Sequence, residues 1–190
     1  MEIAVLTALA ALALALEKAT YWWVWHYPQR FQAWYVRQPL LREMADPAAA
    51  FERLFRLFKA IQLLVYGGWI IWFSIRTEWL PNGDPLWLSL ALLLIAIGQL
   101  LNMAVFARLG RAGTFYGVRF GQSVPWVEGF PFSMVSHPQY TGTVLSIWGL
   151  FLLMRFPQSD WIALPILATI YYAFNAWFER KEPEAGSDRR

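Results

Sequence analysis

The residues with the strongest chemical character stand together in one short stretch, Ser136 to Gly142, SHPQYTG, where a polar loop turns into an apolar segment. Ser136 with Gln139 three residues on has the form of a capping box, and proline is tolerated in a first helical turn, so the spacing predicts a helix starting here with Ser136 as its N-cap. His137 and Tyr140, three apart, then share one face of that first turn. Unpaired backbone N–H groups and the positive end of the helix dipole favour an anion at such a place. An imidazole and a phenol can bind, orient or move a proton there. The same residues also describe a simple helix cap with a packing residue beside it.

What must position them is a membrane-embedded scaffold. Of 190 residues, 58% are hydrophobic and 18% aromatic while only 15% are charged, and the mean hydropathy is +0.36; a soluble domain has a different balance. The absence of cysteine excludes disulfides, thiolate catalysis and Cys-ligated metal sites. The net charge of +3 is spread along the flanks of apolar spans, which points to anionic lipid headgroups and away from nucleic acid.

Ile3 to Trp25 is long enough to cross a bilayer and runs into Tyr21, Trp22, Trp23 and Trp25, an aromatic belt of the membrane interface. Lacking a basic n-region, it does not read as a signal peptide. Glu17 and Lys18 lie inside it, either as functional groups or as charges that neutralise one another or snorkel to the interface. From Pro28 to Gln38, Phe31, Trp34 and Tyr35 recur at helical spacing opposite Gln29, Arg30, Gln32 and Arg37, the pattern of an amphipathic helix in the interface plane. Asp46-Pro47 reads as N-cap and first residue of the helix that carries the second span, Ala60 to Phe73, with Glu52 and Arg56 paired at i, i+4. PNGDP, Pro81 to Pro85, is a turn before a third span, Leu86 to Leu109, on which Gln99 and Asn102 share a face. Arg108 to Val135 is the longest polar interval. Pro138 to Met154 and Trp161 to Phe178 follow, joined by RFPQSD as an antiparallel hairpin.

The expected fold is thus all-α: a multi-pass membrane bundle of about five spanning or re-entrant helices, the last two a hairpin, plus the interfacial helix. Residues 1–182 form a single integral-membrane domain, and 183–190 a disordered polar tail. Arg30, Arg37, Arg42, Arg53, Arg56, Lys59, Arg108, Arg111, Arg119, Arg180, Lys181, Arg189 and Arg190 fall on one side of this topology, Arg76 and Arg155 on the other. The positive-inside rule then places the N-terminus outside and the C-terminus in the cytosol. With the hairpin turn near 157 and 158, facing residues have numbers summing to about 315. His137 faces Phe178 or Glu179, and Tyr140 faces Asn175. Tyr172, Asn175, Glu179 and Glu182 line one face of the last helix. A glycine-rich loop, the His/Tyr helix start and two carboxylates therefore converge on the cytosolic side. Gly142, Ser146 and Gly149 permit close helix packing, against the fifth helix or in a dimer.

Two histidines without cysteine argue against a catalytic metal: His26 sits at the first interface, and no second histidine accompanies His137. Neither G-x-S-x-G, a Walker loop nor G-x-G-x-x-G is present. Chemistry alone reaches an integral-membrane enzyme that binds a charged small molecule at the cytosolic face.

SHPQYTG resembles the R-H-P-x-Y-x-G motif of membrane methyltransferases of the phospholipid N-methyltransferase and isoprenylcysteine carboxyl methyltransferase superfamily, with Ser136 where arginine is usual. GTFYGVRFG, Gly113 to Gly121, is similar to the G-x-x-x-G-x-x-F-G segment of phosphatidylethanolamine N-methyltransferases, and FERKE, Phe178 to Glu182, resembles the group's carboxylate motif, its usual adjacent pair split into Glu179 and Glu182. With YWWVWHYPQ, GQLLNMAVF and PWVEGFPF, the resemblance to phospholipid N-methyltransferases covers nearly the whole chain. Membrane sterol reductases share H-P-x-Y-x-G and the carboxylates, so an NADPH enzyme is one alternative and a carboxyl methyltransferase another.

The resemblance implies S-adenosylmethionine as cofactor and a phospholipid amine as substrate, methylated to phosphatidylcholine from its mono- and dimethylated ethanolamine precursors. It implies His137, Tyr140 and Glu179 as catalytic residues, with His137 or Glu179 as general base or as cofactor ligand. The implied cofactor residues are Gly113, Thr114, Tyr116, Gly117, Arg119, Gly121, His137, Pro138, Tyr140, Gly142, Asn175, Glu179 and Glu182. Tyr116 or Trp126 would lie near the sulfonium, and Arg119 or the basic first loop would hold the phosphate. The compartment is the endoplasmic reticulum in a eukaryote and the plasma membrane in a bacterium.

Overall fold

A computed structural model describes residues 2–75, 83–124 and 127–180, and among these every regular element is helical. α1 is Glu2–His26, α2 Pro28–Tyr35, α3 Pro47–Ser74, α4 Pro85–Thr114, α5 Pro138–Met154 and α6 Ala163–Arg180, with a 3₁₀ turn at Gly117–Phe120 between α4 and α5. The Pro81-Asn82 half of the expected turn, Arg76, Trp126, Lys181, Glu182 and the 183–190 tail lie outside the described residues.

Among the described residues, three helices are long and apolar enough to cross a membrane: Ile3–His26, Pro47–Ser74 and the stretch Pro85–Phe120. The chain is a membrane protein, and its outward faces carry Leu12, Leu63, Leu64 and Met103, each more than two-thirds exposed. That arrangement is stable where the surroundings are hydrocarbon. The expected all-helical membrane bundle is present; three of its about five expected spanning or re-entrant helices have the length and apolarity of a span, and the last two form a shorter hairpin. α5 has 17 residues, about 25 Å at 1.5 Å per residue, less than the roughly 30 Å of a hydrocarbon core.

Helix starts follow local chemistry. Asp46 caps α3 by accepting from the Ala49 amide at 2.8 Å, and Asp84 caps α4 through the Leu86 amide at 2.9 Å, with proline at the first turn in each case. α5 departs from the expected capping box. Its N-cap is His137, without a side-chain cap bond, and the helix begins at Pro138. A proline disfavours helical geometry in the residue before it, so His137 is held out of the helix and Ser136 stands one residue too early to cap it.

The polar interval after Arg108 is also less loop than expected. α4 continues to Thr114 across a break at Gly110, whose φ of 59° suits glycine, so Gly113 and Thr114 lie on a helical turn. α2 ends at Tyr35, and Phe31 is fully buried against Trp23, Phe51 and Phe120. α2 therefore packs onto the protein as well as lying at its edge.

The small residues of α5 meet α4. A Cβ on Gly98 would sit 2.4 Å from the Gly142 carbonyl oxygen, one on Gly142 2.6 Å from that of Gly98, and one on Gly149 2.6 Å from that of Ala91. Gln99 donates to the Ser146 hydroxyl at 2.9 Å across the same seam. The partner of this small-residue face is therefore α4, not α6 or a second copy. At the far end of the bundle, Arg155 is buried on Asp160, which also accepts from the Trp69 indole at 3.0 Å; this basic residue belongs to an internal ion pair.

Candidate active site

α1, α4 and α6 end, and α2, α3 and α5 begin, around one cavity of about 1120 Å³, at the upper end of the size of small-molecule sites. Its walls are aromatic: Tyr21 and Trp25 from α1, Phe51 and Phe55 from α3, Tyr116 beside the 3₁₀ turn. Phe51 stacks on Tyr116 with ring centroids 5.0 Å apart, and Tyr21 and Trp25 each present an edge to Tyr116 at 6.0 and 5.3 Å. Tyr116 itself adopts the left-handed conformation, φ 58°, a cost accepted at few non-glycine positions. The turn aims its phenol at α6.

Three chemically active groups meet there. The Tyr116 hydroxyl donates to Glu179 Oε1 at 2.5 Å, the Tyr140 hydroxyl donates to the same oxygen, and the two hydroxyls are 3.3 Å apart. His137 Nδ1 lies 3.8 Å from Glu179 Oε2, with its ring stacked on Tyr140 at a centroid distance of 5.7 Å. Glu179 stands one residue beyond the apolar run that ends at Phe178 and outside the three spanning helices. Burial pushes its carboxyl above the usual range, while the two phenol donors pull the other way.

Of the two expected facing pairs, His137 meets Glu179 as expected, and the other shifts by one helical turn. Tyr140 reaches Glu179, not Asn175, because helical side chains lean toward the N-terminus of their own helix. From the start of α5, that lean carries the phenol outward to the last turn of α6. Asn175 is fully buried, and neither of its side-chain atoms has a hydrogen-bond partner among the described residues.

Among the residues singled out in the sequence, Gly113, Thr114, Tyr116, Arg119, His137, Pro138, Tyr140 and Glu179 line the cavity. Gly117, Gly121, Gly142 and Asn175 stand outside the lining, and Glu182 lies beyond the described residues. Gly117 is needed for packing, since a Cβ there would meet the Ala112 carbonyl oxygen at 2.6 Å. Gly121 closes the 3₁₀ turn at φ 80°. Arg119 donates through Nε to the Trp25 carbonyl at 2.9 Å with its guanidinium 4.5 Å from the Trp25 ring, which ties the turn to the end of α1. Sequence reasoning missed Tyr21, Trp25, His26, Phe51 and Phe55 as site residues. Their signal was the density of aromatics in YWWVWHY, which also fits a membrane belt.

Beneath the cavity, Glu17 of α1 receives Lys18 at 3.3 Å and Lys59 of α3 at 3.2 Å. Lys59 also donates to the Tyr172 hydroxyl at 2.8 Å and to Gln62 at 3.0 Å, and Lys18 lies 3.5 Å over the Tyr172 ring. The Glu17–Lys18 pair neutralises itself in part, as one reading of the sequence has it, and recruits a second lysine besides.

Residues 86–182 match the family described as phospholipid methyltransferase. The chain is 35% identical over 177 residues to the phosphatidyl-N-methylethanolamine N-methyltransferase of Arabidopsis thaliana, covering 92% of each protein. The chain belongs to the phospholipid methyltransferase family. The Saccharomyces cerevisiae protein of the same name is 32% identical over 98 residues, 51% of this chain and 46% of that protein. No solved structure matches the chain significantly. Membership decides between the chemistries that H-P-x-Y-x-G left open: this is a methyltransferase, not a sterol-reductase-like enzyme. The matched segment 86–182 supplies α4 to α6 and hence the Tyr116–Tyr140–Glu179 cluster, whereas the aromatic walls on α1 and α3 precede it.

Proposed function

We propose that this methyltransferase uses S-adenosylmethionine to methylate phosphatidyl-N-methylethanolamine and its dimethylated product to phosphatidylcholine, at the cytosolic face of its membrane. The observation that carries the reading is a buried carboxylate held by two phenols inside an aromatic cavity at the ends of the helices. The lining fits such a cofactor. Of the lining residues, Trp25 has its indole N–H and Thr114 its hydroxyl buried without a hydrogen-bond partner among the described residues, which leaves polar capacity beside the cavity for a ligand. Aromatic faces suit a sulfonium, and Glu179 suits an ammonium or ribose hydroxyls. The start of α5 suits a carboxylate.

When bound, the cofactor supplies an electrophilic methyl group. Tyr116 and Tyr140 fix one oxygen of Glu179 and so fix the direction of its other lone pairs. His137, Pro138 and Tyr140 form the α5 side of the cavity, and the α4–α5 seam holds them in place. With both reactants held in the cavity, their alignment can account for about 7 to 11 kcal/mol of the barrier. Arg119 and the basic first loop lie at the same end and would attract the lipid phosphate, leaving the acyl chains in the bilayer. Basic flanks at this end support its cytosolic placement, in the endoplasmic reticulum of a eukaryote or the plasma membrane of a bacterium.

Purified protein in lipid nanodiscs, given labelled S-adenosylmethionine with mono- or dimethylated phosphatidylethanolamine, is expected to yield labelled phosphatidylcholine by chromatography. Label appearing in neither lipid would refute the substrate assignment.

A further inference from the structure

We propose that His26, the last residue of α1, takes the proton from the lipid ammonium before methyl transfer. The proposal rests on the N-methyltransferase reading above and adds to it a residue that lies ahead of the family-matched segment 86–182. A methylated ethanolamine headgroup is an ammonium at neutral pH and has no nucleophilic electron pair until a proton leaves. A base at the cavity is therefore part of the reaction, and histidine is the side chain whose ordinary titration lies near neutrality.

His26 is one of two histidines in the chain, and both line the cavity. His137 sits beside Glu179, 3.8 Å away, and Glu179 holds both phenols; this cluster is built to bind and orient. His26 enters the lining from the other half of the chain. Its Nδ1 lies 2.8 Å from the Trp22 carbonyl oxygen. A carbonyl only accepts, so Nδ1 carries the hydrogen and the neutral ring keeps its lone pair on Nε2, the nitrogen turned away from its own helix. The Trp22 carbonyl belongs to the negative end of α1 and goes on accepting from Nδ1 when the ring is charged. The ring is fixed in place by Trp22 at 4.7 Å and Phe178 at 5.7 Å, centroid to centroid. A histidine anchored at Nδ1, in a residue that lines the cavity, keeps one ring nitrogen able to act as a general base.

In the step assigned to it, one ammonium N–H bond breaks, the proton goes to Nε2, and the electron pair stays on the lipid nitrogen. That pair forms the new N–C bond as the sulfonium donor's methyl–sulfur bond breaks toward sulfur. The imidazolium returns its proton to water at the cytosolic rim. Among the described residues, the charged or titratable groups around His26 are Tyr21 on α1, Tyr27 next to it in the chain with its ring 6.4 Å away, Arg30 on α2, Arg119 on the 3₁₀ turn, Tyr116 beside it, His137 on α5 and Glu179 on α6. The cavity-lining residues of α3 and α4 carry no charge.

The test uses the full chain in nanodiscs. Nitrogen-labelled histidine spectra, assigned by loss of signals in H26Q, are expected to show neutral His26 as the Nδ1–H tautomer and to move when phosphatidyl-N,N-dimethylethanolamine is added. His26→Gln is expected to lower kcat about a hundredfold or more, with KM for both substrates within about twofold, and to abolish the rise of kcat with pH. Added imidazole is expected to restore part of the turnover of His26→Ala, which a merely structural role would not allow. An Nε2–H tautomer, or H26Q turnover within threefold of wild type with the same pH profile, overturns the proposal while leaving the methyltransferase reading intact. Wild-type protein that methylates neither lipid overturns both.

Discussion

The α4–α5 seam and the cavity end of α1, α3 and α6 solve opposite problems with opposite residues. Along the seam, Gly98, Gly142 and Gly149 bring backbones so close that no Cβ fits. At the cavity end, Tyr21, Trp25, Phe51 and Tyr116 prop the helices apart, and the space between them is spanned by Glu179, its two phenols and, one layer down, Glu17 with its lysines. Small residues make a rigid joint because dispersion contacts are dense and nothing can rotate. Large and charged residues make a container whose shape depends on every polar partner being present. The joint sets where the first turn of α5 stands; the container decides what can sit beside it.

This contrast predicts the largest effect at Glu17. Removing its carboxylate as Glu17→Leu leaves Lys18 and Lys59 facing each other without an anion, and breaking a buried pair costs about 3 to 5 kcal/mol. Thermal unfolding in nanodiscs should show that loss. The triple change Glu17→Leu, Lys18→Met, Lys59→Met should recover most of it, since apolar replacement of a whole buried ion cluster is often neutral. If the single and triple variants melt together, the ions beneath the cavity do not hold it.

Next comes the carboxylate above them. Tyr140→Phe deletes one of two donors to Glu179 without changing the ring that stacks on His137, and a hydrogen bond to a charged group contributes about 1.5 to 3 kcal/mol. At 1.36 kcal/mol per tenfold, kcat/KM should fall by about 10- to 150-fold. The same bond lost from the folded state should lower the melting temperature too, by about 3 to 12 °C. A variant of unaltered kcat/KM would show that Tyr116 alone orders the carboxylate.

The seam responds to volume instead. Gly142→Val forces branched carbon into the Gly98 carbonyl and the Asn102 side chain, and overpacking of this kind costs about 1 to 3 kcal/mol. Gly68→Ala on α3 is the matched control, since a Cβ there meets nothing within 4 Å; it should be neutral or gain up to about 1 kcal/mol in helix propensity. Equal melting of the two variants would deny that α4 and α5 touch through backbone.

Much of this was legible in the sequence, and the gaps have physical causes. The helices and the aspartate-proline start at Asp46 followed from local rules acting within a few residues, whereas Asp84 was read only as part of a turn and also caps α4. Convergence of GTFYGVRFG, His137–Tyr140 and Glu179 followed from hairpin geometry. Ser136 was misread because the restriction that Pro138 places on the preceding residue outranks a capping box. The partner of Gly142 was not readable, because a glycine face states that something comes close without naming it. Tyr21, Trp25 and Phe51 were hidden for a related reason: an aromatic belt at a membrane edge and an aromatic wall of a cavity have one composition and differ only in what packs against them.

The smallest expected effect separates the two regions by their response to pH. Glu179 has its carboxyl raised by burial, so folding favours its neutral form. The stability this gives is fully present below the carboxyl's unfolded value and is lost as pH rises through the raised folded one. Glu179→Gln is neutral throughout and keeps the shape of the side chain. Its melting temperature relative to wild type should therefore climb as pH is raised across the weakly acidic range, then level off. Gly142→Val, which touches only the seam, should show a constant offset over the same range. A Glu179→Gln difference that stayed flat with pH would mean that Tyr116 and Tyr140 offset the burial completely, and that the cavity end is as indifferent to charge as the seam.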